Sequence, residues 1–211
     1  MSLKHLLEKN RAWAAARTAR DPGFFTRLSA QQAPRYLWIG CSDSRVPATE
    51  IVDLDPGEIF VHRNVANLAV HTDLNFLSVL QFAVEVLEVE HILVVGHYGC
   101  GGIRAAMSNR SVGLVDNWLR NVRDIRERYK HQIEAAGDEH VQEDLMVEIN
   151  VLTQLGNVAR NPIVQRAWRQ GRPLRVHGWV YRLQDGILHD LGYQASSVDD
   201  LDEVHHILER V

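Results

Sequence analysis

The sequence contains only two cysteines, Cys41 and Cys100, too few for the disulfide framework of a small secreted protein. They could form one disulfide, but nothing else indicates an oxidising compartment, so we predict reduced thiols. Long apolar runs are also missing, since the longest run beyond the N-terminal region is 92–95, far too short to span a bilayer. Charged side chains interrupt the N-terminal region, so we expect no signal peptide, a cytoplasmic location and no membrane partner.

An excess of charge of one sign is missing too. The 23 lysines and arginines nearly balance the 27 aspartates and glutamates, and the pI is about 6.2. A dedicated nucleic-acid-binding protein normally carries a basic face, so no nucleic-acid partner is expected. What remains is an ordinary globular composition, 45% hydrophobic and 24% charged over 211 residues. That length is typical of one domain, and we predict a single domain over residues 1–211.

Short apolar segments alternate with helical segments along the chain. The predicted strands are 36–39, 58–65, 91–96, 174–183 and a fifth from residue 187. The alternation predicts an α/β fold with a mainly parallel central sheet of four strands and helices on both faces. The tight Asp185-Gly186 turn makes the fifth strand an antiparallel edge strand.

Helical periodicity and stop signals place the helices. The predicted helices are 2–20, 73–87, 114–129, 141–152, one that starts at Asn161-Pro162 and ends at Gly171, and a tail from residue 198. The segment 73–87 is apolar except for one narrow polar stripe, which is typical of a buried or intersubunit helix. Residues 1–30 form a helical arm that has little of its own chain to pack on. We therefore expect this arm to pack on a partner subunit.

Both cysteines and one histidine stand at the ends of predicted strands. Cys41 closes the first strand and His97 the third, with Cys100 three residues later. Because ligands bind beyond the carboxyl ends of parallel strands, we expect these side chains to meet. Two thiolates and one imidazole form a zinc-type ligand set, and three protein ligands with one open position are typical of catalytic zinc. Asp43 could be a fourth ligand, or Arg45 could hold its carboxylate away from the metal.

Each of these features also has a plainer interpretation. A buried cysteine is usually a small core residue, and a His-x-x-Cys pair is weak evidence for a metal by itself. The turn at Gly101 and Gly102 could be merely tight, or it could seat a phosphate, although the established phosphate-loop patterns are absent. The joint placement of both thiols at one sheet edge favours the metal site.

Four motifs together resemble the β-class carbonic anhydrases, in particular the bacterial type and its bicarbonate-regulated subgroup. They are Cys41-Ser42-Asp43-Ser44-Arg45, His62-Arg63-Asn64-Val65-Ala66-Asn67, His97-x-x-Cys100-Gly101-Gly102 and His177-Gly178-Trp179. The resemblance runs from about residue 36 to 193, and no ligand position departs from the family pattern. It is weakest in the first thirty residues, around 137–140 and in the tail.

The resemblance implies one Zn²⁺ per chain, held by Cys41, His97 and Cys100, with water or Asp43 in the fourth position. The implied activity is the reversible hydration of CO₂ to bicarbonate and a proton, by attack of zinc-bound hydroxide on CO₂. Asp43 and Arg45 would form a catalytic dyad in which Arg45 keeps the carboxylate off the metal. Gly101 and Gly102, which follow Cys100, would let the backbone pass close to the metal.

The resemblance further implies a regulatory bicarbonate site at Trp38, Arg63 and Tyr181, away from the metal. Bicarbonate bound there would break the Asp43–Arg45 pair and let Asp43 close on zinc. The family assembles as homodimers or homotetramers, so the same is expected here. Two other functions remain open at this point: a CS₂ or COS hydrolase with the same zinc site, and a non-catalytic protein whose zinc site is structural and closed.

Overall fold

The computed structural model describes residues 2–108 and 110–207. The chain divides into two compact units, Met1–Ala33 and Pro34–Val211. The first unit consists of helix α1 (Lys4–Arg20) and helix α2 (Phe24–Ala30), and α1 ends at Arg20, directly before Asp21, as predicted.

Helix α1 leaves most of its apolar side chains unburied. Leu6 and Leu7 are 51% and 60% exposed, and no residue of the helix is buried. Within this unit the ring of Trp13 packs edge-on against that of Phe25, with centroids 5.7 Å apart. The predicted packing of this arm on a partner subunit stays a prediction.

The second unit is built on one five-stranded sheet with the strand order β2-β1-β3-β4-β5. The strands are β1 (Tyr36–Cys41), β2 (Ile59–Asn64), β3 (His91–His97), β4 (Arg175–Arg182) and β5 (Ile187–Ala195). Strands β1 to β4 run parallel to one another, and β5 pairs antiparallel with β4. The predicted α/β fold with a parallel sheet and one antiparallel edge strand is confirmed.

Helices fill the connections between the strands. They are α3 (Ala48–Ile51), α4 (Leu74–Gln81), α5 (Gly101–Met107), α6 (Val115–Arg128), α7 (Lys130–Glu134), α8 (Glu139–Ala159) and α9 (Pro162–Arg169). The side chain of Asn161 caps α9 by accepting from the backbone N–H of Ile163, as its position before Pro162 predicts. Among the described helices, none is both long and apolar enough to cross a bilayer.

Two helical predictions were only partly right. The segment 73–87 starts as α4 but continues as a π-helical turn, Phe82–Val86. The tail forms two short 3₁₀ turns, Val198–Asp200 and Glu203–His205, and residues 208–211 lie outside the described part of the chain. The Asp200 carboxylate accepts from the N–H groups before the first turn, and such local bonds compete with a longer helix.

The two faces of the sheet are covered unequally within the second unit. One face carries the main core, to which α4, α5, α6, α8 and α9 all contribute buried side chains. The other face carries a smaller cluster around Trp38, Leu93 and Val95, on which the short α3 packs through Ala48. Helices therefore lie on both faces, but only the first face has a thick helical layer.

Candidate metal centre

Three potential metal ligands meet at the carboxyl edge of the sheet. Cys41 ends β1, His97 ends β3, and Cys100 lies on the turn before α5. Their ligand atoms all lie within 4.8 Å of one another, and the two sulfurs are 3.8 Å apart. Both cysteines are free thiols. The juxtaposition predicted from the two halves of the sequence is confirmed.

His97 is oriented as a metal ligand. Its side chain is fully buried, and Nδ1 lies 3.1 Å from the carbonyl oxygen of Tyr98, an acceptor that assigns the ring proton to Nδ1. The lone pair is therefore on Nε2, which is buried and has no hydrogen-bond partner among the described residues. A buried nitrogen lone pair beside two sulfurs fits a zinc ion, and ligating histidines commonly donate their other N–H to a carbonyl.

The two thiols differ in acidity because they lie side by side. A hydrogen bond from Cys100 is the main cause that lowers the pKa of Cys41 to about 4, against the opposing effect of burial. The neighbouring His97 ring and the backbone N–H groups of Asp43 and Ala66 lower it further. The same contact with Cys41 raises the pKa of the Cys100 thiol, as does its burial. Two neighbouring buried thiols resist losing both protons unless a cation balances the charge. The donor set is therefore one that Zn²⁺ would complete.

Asp43 and Arg45 form the dyad that the sequence predicts. Nε and Nη2 of Arg45 donate to the two carboxylate oxygens at 2.9 and 2.7 Å, and its backbone N–H donates at 3.0 Å. These bonds, the side-chain bond first, hold the pKa of Asp43 well below its usual value. One Asp43 oxygen also lies 3.6 Å from Nε2 of His97. An ionised carboxylate thus borders the metal site while Arg45 restrains it.

Arg63 supports the loop between Cys41 and Asp43. Its Nε donates to the carbonyl oxygen of Cys41 at 2.7 Å, and its Nη2 donates to the carbonyl oxygen of Asp43. From the sequence, Arg63 is expected only in a regulatory site. Its contacts show that it also holds the backbone that carries one metal ligand and the dyad.

Gly102 is required by a close backbone approach, whereas Gly101 is not. A Cβ at Gly102 would lie 2.9 Å from Cγ1 of Val65 and 3.2 Å from Cβ of Ala66. A Cβ at Gly101 would have no described heavy atom within 4 Å. The N–H groups of Gly102 and Ile103 hydrogen-bond the sulfur of Cys100 and favour its thiolate. The absence of a side chain at Gly102 therefore lets the turn after β3 pack closely against Val65 and Ala66 beside Cys100.

The three predicted regulatory residues lie on three different strands of the sheet. Trp38 is buried, and its Nε1 lies 2.2 Å from where a Cβ at Gly40 would be. Arg63 is the β2 residue opposite Gly40. Tyr181 lies on β4, separated from β1 by β3, and its hydroxyl is beside Gly186. Trp38 and Arg63 are thus adjacent, while Tyr181 is further along the same face.

The sequence does not reveal the residues of α8 that hydrogen-bond the segments next to the metal ligands. Tyr98 follows His97 in the sequence, and its hydroxyl donates to the Glu148 carboxylate of α8 at 2.6 Å. Asn150, also on α8, is 1% exposed and bonds the Ala66 carbonyl. A polar residue on the buried stripe of an amphipathic helix was the available signal for Asn150, but it did not reveal the partner.

Comparison with known proteins shows which family this chain is similar to. The family model described as carbonic anhydrase matches residues 36–188. A carbonic anhydrase from Emericella nidulans is 43% identical over 204 residues, covering 96% of this chain and 89% of that protein. A tetrameric β-carbonic anhydrase structure from Sordaria macrospora has a TM-score of 0.88 at 37% identity, covering 92% and 98% of the two chains. The Coccomyxa β-carbonic anhydrase in complex with acetazolamide has a TM-score of 0.89 at 40% identity, covering 94% and 90%.

The fold that carries the Cys-His-Cys cluster of this chain is thus shared with β-carbonic anhydrase structures over nearly the whole chain. The chain belongs to the carbonic anhydrase family, and its fold is that of the β class.

Proposed function

We propose that this chain is a zinc enzyme that catalyses the reversible hydration of CO₂ to bicarbonate and a proton. The buried Nε2 of His97, without a described partner and beside two free thiols, is the observation that carries the proposal. The family membership supports the same reaction. Neither hydrolysis of CS₂ or COS nor a closed structural site is favoured. In particular, Arg45 holds both oxygens of the Asp43 carboxylate that would close the site.

Zinc bound by Cys41, His97 and Cys100 would act as a Lewis acid that makes hydroxide available from water near neutral pH. The chain supplies the surroundings for that ion. Both cysteines and His97 are buried, so their charges act in a medium of low polarity, where electrostatic interactions are strong. Backbone N–H groups at both sulfurs stabilise the thiolates that a metal requires.

Asp43 is the catalytic carboxylate of the proposal. Its low pKa keeps it ionised at neutral pH, so it can only accept hydrogen bonds. Arg45 donates one hydrogen bond to each of its two oxygens. The Asp43 oxygen near His97 faces the ligand cluster and can accept a hydrogen bond from the O–H of the attacking nucleophile. That hydrogen bond would orient the nucleophile so that its lone pair points at CO₂. Arg45 therefore keeps Asp43 available as an acceptor and prevents it from acting as a ligand.

A bicarbonate switch is part of the proposal. The indole N–H of Trp38 is buried without a described partner and lies over Gly40, opposite Arg63. An indole N–H and a guanidinium are suitable donors for a planar oxyanion. Because Arg63 also holds the backbone of Cys41 and Asp43, an anion that draws on Arg63 would loosen the loop that carries the dyad. Tyr181 is retained as a more distant member of this site.

The proposed enzyme is a cytoplasmic homodimer or homotetramer of the bacterial type. The thinly covered sheet face around Trp38 and the exposed leucines of α1 support a second copy of the chain as the partner. The neighbour from Sordaria macrospora is itself tetrameric. Residues 1–30 would pack on that second copy as an arm of one domain spanning 1–211.

Metal analysis combined with stopped-flow CO₂ hydration tests the proposed function. The parent is expected to hold one zinc per chain and to hydrate CO₂, and Cys100→Ser is expected to lose both metal and activity. Ser108→Ala, at the other end of α5, is the control and should keep both. If Cys100→Ser kept stoichiometric zinc and normal turnover, the ligand assignment would be wrong.

A further inference from the structure

The turn that follows β2 is strained. Ala66 and Asn67 are consecutive residues with positive φ, 67° and 49°, although neither is glycine. Each such residue costs on the order of 1–3 kcal/mol and persists only where the surroundings impose it. Both residues are buried, at 0% and 1% exposure, so solvent does not hold this conformation. Something in the fold therefore maintains it.

This turn contacts one cysteine ligand, Cys41, and lies beside the backbone that follows the other, Cys100. The backbone N–H of Ala66 hydrogen-bonds the Cys41 sulfur. The Ala66 nitrogen also lies 3.5 Å from where a Cβ at Gly102 would be, two residues beyond Cys100. A shift of this turn would therefore alter the hydrogen bonding of one ligand and the packing beside the other.

Two residues outside the family motifs hold the peptide groups on either side of Ala66. The indole Nε1 of Trp118, on α6, donates to the carbonyl oxygen of Val65 at 2.8 Å. That carbonyl and the N–H of Ala66 belong to the same peptide group. The amide Nδ2 of Asn150, on α8, donates to the carbonyl oxygen of Ala66 at 3.0 Å. In this one peptide group, the carbonyl oxygen therefore accepts from Trp118 while the N–H faces the Cys41 sulfur.

Asn150 is itself held in place by a buried neighbour. Nε2 of Gln154 donates to Oδ1 of Asn150 at 3.0 Å, and Oε1 of Gln154 accepts from the N–H of Ala69 at 2.9 Å. Asn150 and Gln154 are only 1% and 2% exposed. Because hydrogen bonds in a chain polarise one another, the Trp118 donor at the Val65 carbonyl oxygen strengthens the Ala66 N–H of the same peptide group. The Asn150 donor instead holds the next peptide group, between Ala66 and Asn67, in place.

We propose that Trp118 and Asn150 are positioning residues for the metal centre. They hold the 65–67 turn in the left-handed conformation that aims the Ala66 N–H at the Cys41 sulfur. This inference rests on the zinc site of the proposed function and extends it to residues that touch neither metal nor substrate. A hydrogen bond to a metal-bound thiolate lowers the electron donation of the sulfur. Trp118 and Asn150 therefore tune the metal–sulfur bond.

The test uses the full-length protein loaded with Co²⁺, whose near-ultraviolet charge-transfer band reports the metal–thiolate bond. Trp118→Phe removes the indole N–H together with part of the ring, and Asn150→Leu replaces the amide by a branched apolar group with the same number of heavy atoms. Trp168→Phe is the matched control, because its indole N–H also donates to a carbonyl, that of Leu174 at 2.7 Å, but on α9 and away from the 65–67 turn. Metal affinity is measured in parallel by competition with a chelator.

We expect the charge-transfer band to move to lower energy in Trp118→Phe and Asn150→Leu. Affinity for Co²⁺ and Zn²⁺ should weaken by roughly tenfold, the lower end of effects seen for outer-shell partners. Trp168→Phe should lower the melting temperature without moving the band or the affinity. If Asn150→Leu does not fold, Trp118→Phe decides the question, and Gln154→Met should show a smaller shift in the same direction.

The inference is overturned if folded Trp118→Phe has the parent's band and affinity. A parent protein that binds neither Co²⁺ nor Zn²⁺ would instead overturn the proposed function, and the inference with it. Parent binding thus separates a failure of the metal site from a failure of the positioning role.

Discussion

Arg45 donates to both carboxylate oxygens of Asp43, and one of these oxygens lies 3.6 Å from Nε2 of His97. The carboxylate thus stands between a guanidinium and the ligand cluster. Arg45 is 58% exposed at its side chain, whereas Asp43 is 16% exposed. An exposed arginine can be displaced more easily than a buried one, so a small change in the loop can break the Arg45–Asp43 pair.

Removing Arg45 should therefore free Asp43 to bind zinc. For Arg45→Ala we expect kcat/KM to fall by about 10- to 100-fold while one zinc per chain is retained. Metal analysis and stopped-flow hydration check both quantities. Arg35→Ala is the control, since it removes an exposed pair with Glu90 that lies at the opposite edge of the sheet. Loss of zinc in Arg45→Ala, or unchanged kcat/KM, would contradict the role assigned to the dyad.

The two adjacent glycines provide an internal comparison of backbone crowding. Gly102→Ala places a Cβ 2.9 Å from Val65, and overpacking of this kind costs about 1–3 kcal/mol. Gly101→Ala meets no described heavy atom within 4 Å, so its stability should equal or exceed that of the parent. Urea unfolding of the two variants measures the difference. Equal destabilisation would show that the close approach at Gly102 is not what selects glycine.

Bicarbonate regulation predicts a particular pH–rate profile. Activity should rise between roughly pH 7 and pH 9 more steeply than one proton allows, and added bicarbonate should displace the curve upward in pH. Trp38→Phe should weaken the bicarbonate effect by removing the buried indole N–H, with Trp168→Phe as the control. Arg63→Ala is less informative because it also releases the carbonyls of Cys41 and Asp43. A single-proton curve that ignores bicarbonate would remove the switch and leave the enzyme.

A pair of half-buried histidines predicts acid sensitivity of the fold. Nδ1 of His91 and Nε2 of His177 are 3.1 Å apart, and burial, as the main cause, lowers the pKa of both. Below about pH 6.5 the unfolded chain binds protons that the folded chain resists, so the free energy of unfolding falls as the pH falls.

Melting temperature followed from about pH 7.5 to about pH 5.5 measures this dependence. It should be shallower in the double variant His91→Gln/His177→Gln than in the parent, and the exposed His131→Gln should leave it unchanged. The same slope in all three proteins would mean that other groups cause the acid sensitivity.

The proposed assembly predicts a species heavier than the 24.0 kDa chain in sedimentation experiments. Leu6→Glu/Leu7→Glu should weaken it, because it places charge on the exposed apolar side of α1. Arg11→Glu changes the net charge by the same amount and is the control. A fully active 24.0 kDa species at micromolar concentration would count against the homo-oligomer.

The strand ends illustrate what sequence patterns can predict. Period and turn signals placed all five strands, and parallel strands bring their carboxyl ends to one edge whatever the connections contain. Cys41 and Cys100 therefore met as expected, although 59 positions separate them. The short-range pair of Asp43 and Arg45 was equally accessible, because two residues on one loop need no tertiary information to meet.

The sequence by itself thus determined the fold class, the meeting of Cys41, His97 and Cys100, and the pairing of Asp43 with Arg45. Only the tertiary structure decided what holds them. The bond from Trp118 to Val65 joins residues 53 positions apart, and that from Asn150 to Ala66 joins residues 84 apart. Each depends on a left-handed backbone at a non-glycine residue, which no local propensity favours. Such a conformation exists only after the helices have packed, because their side chains supply the hydrogen bonds that offset its strain.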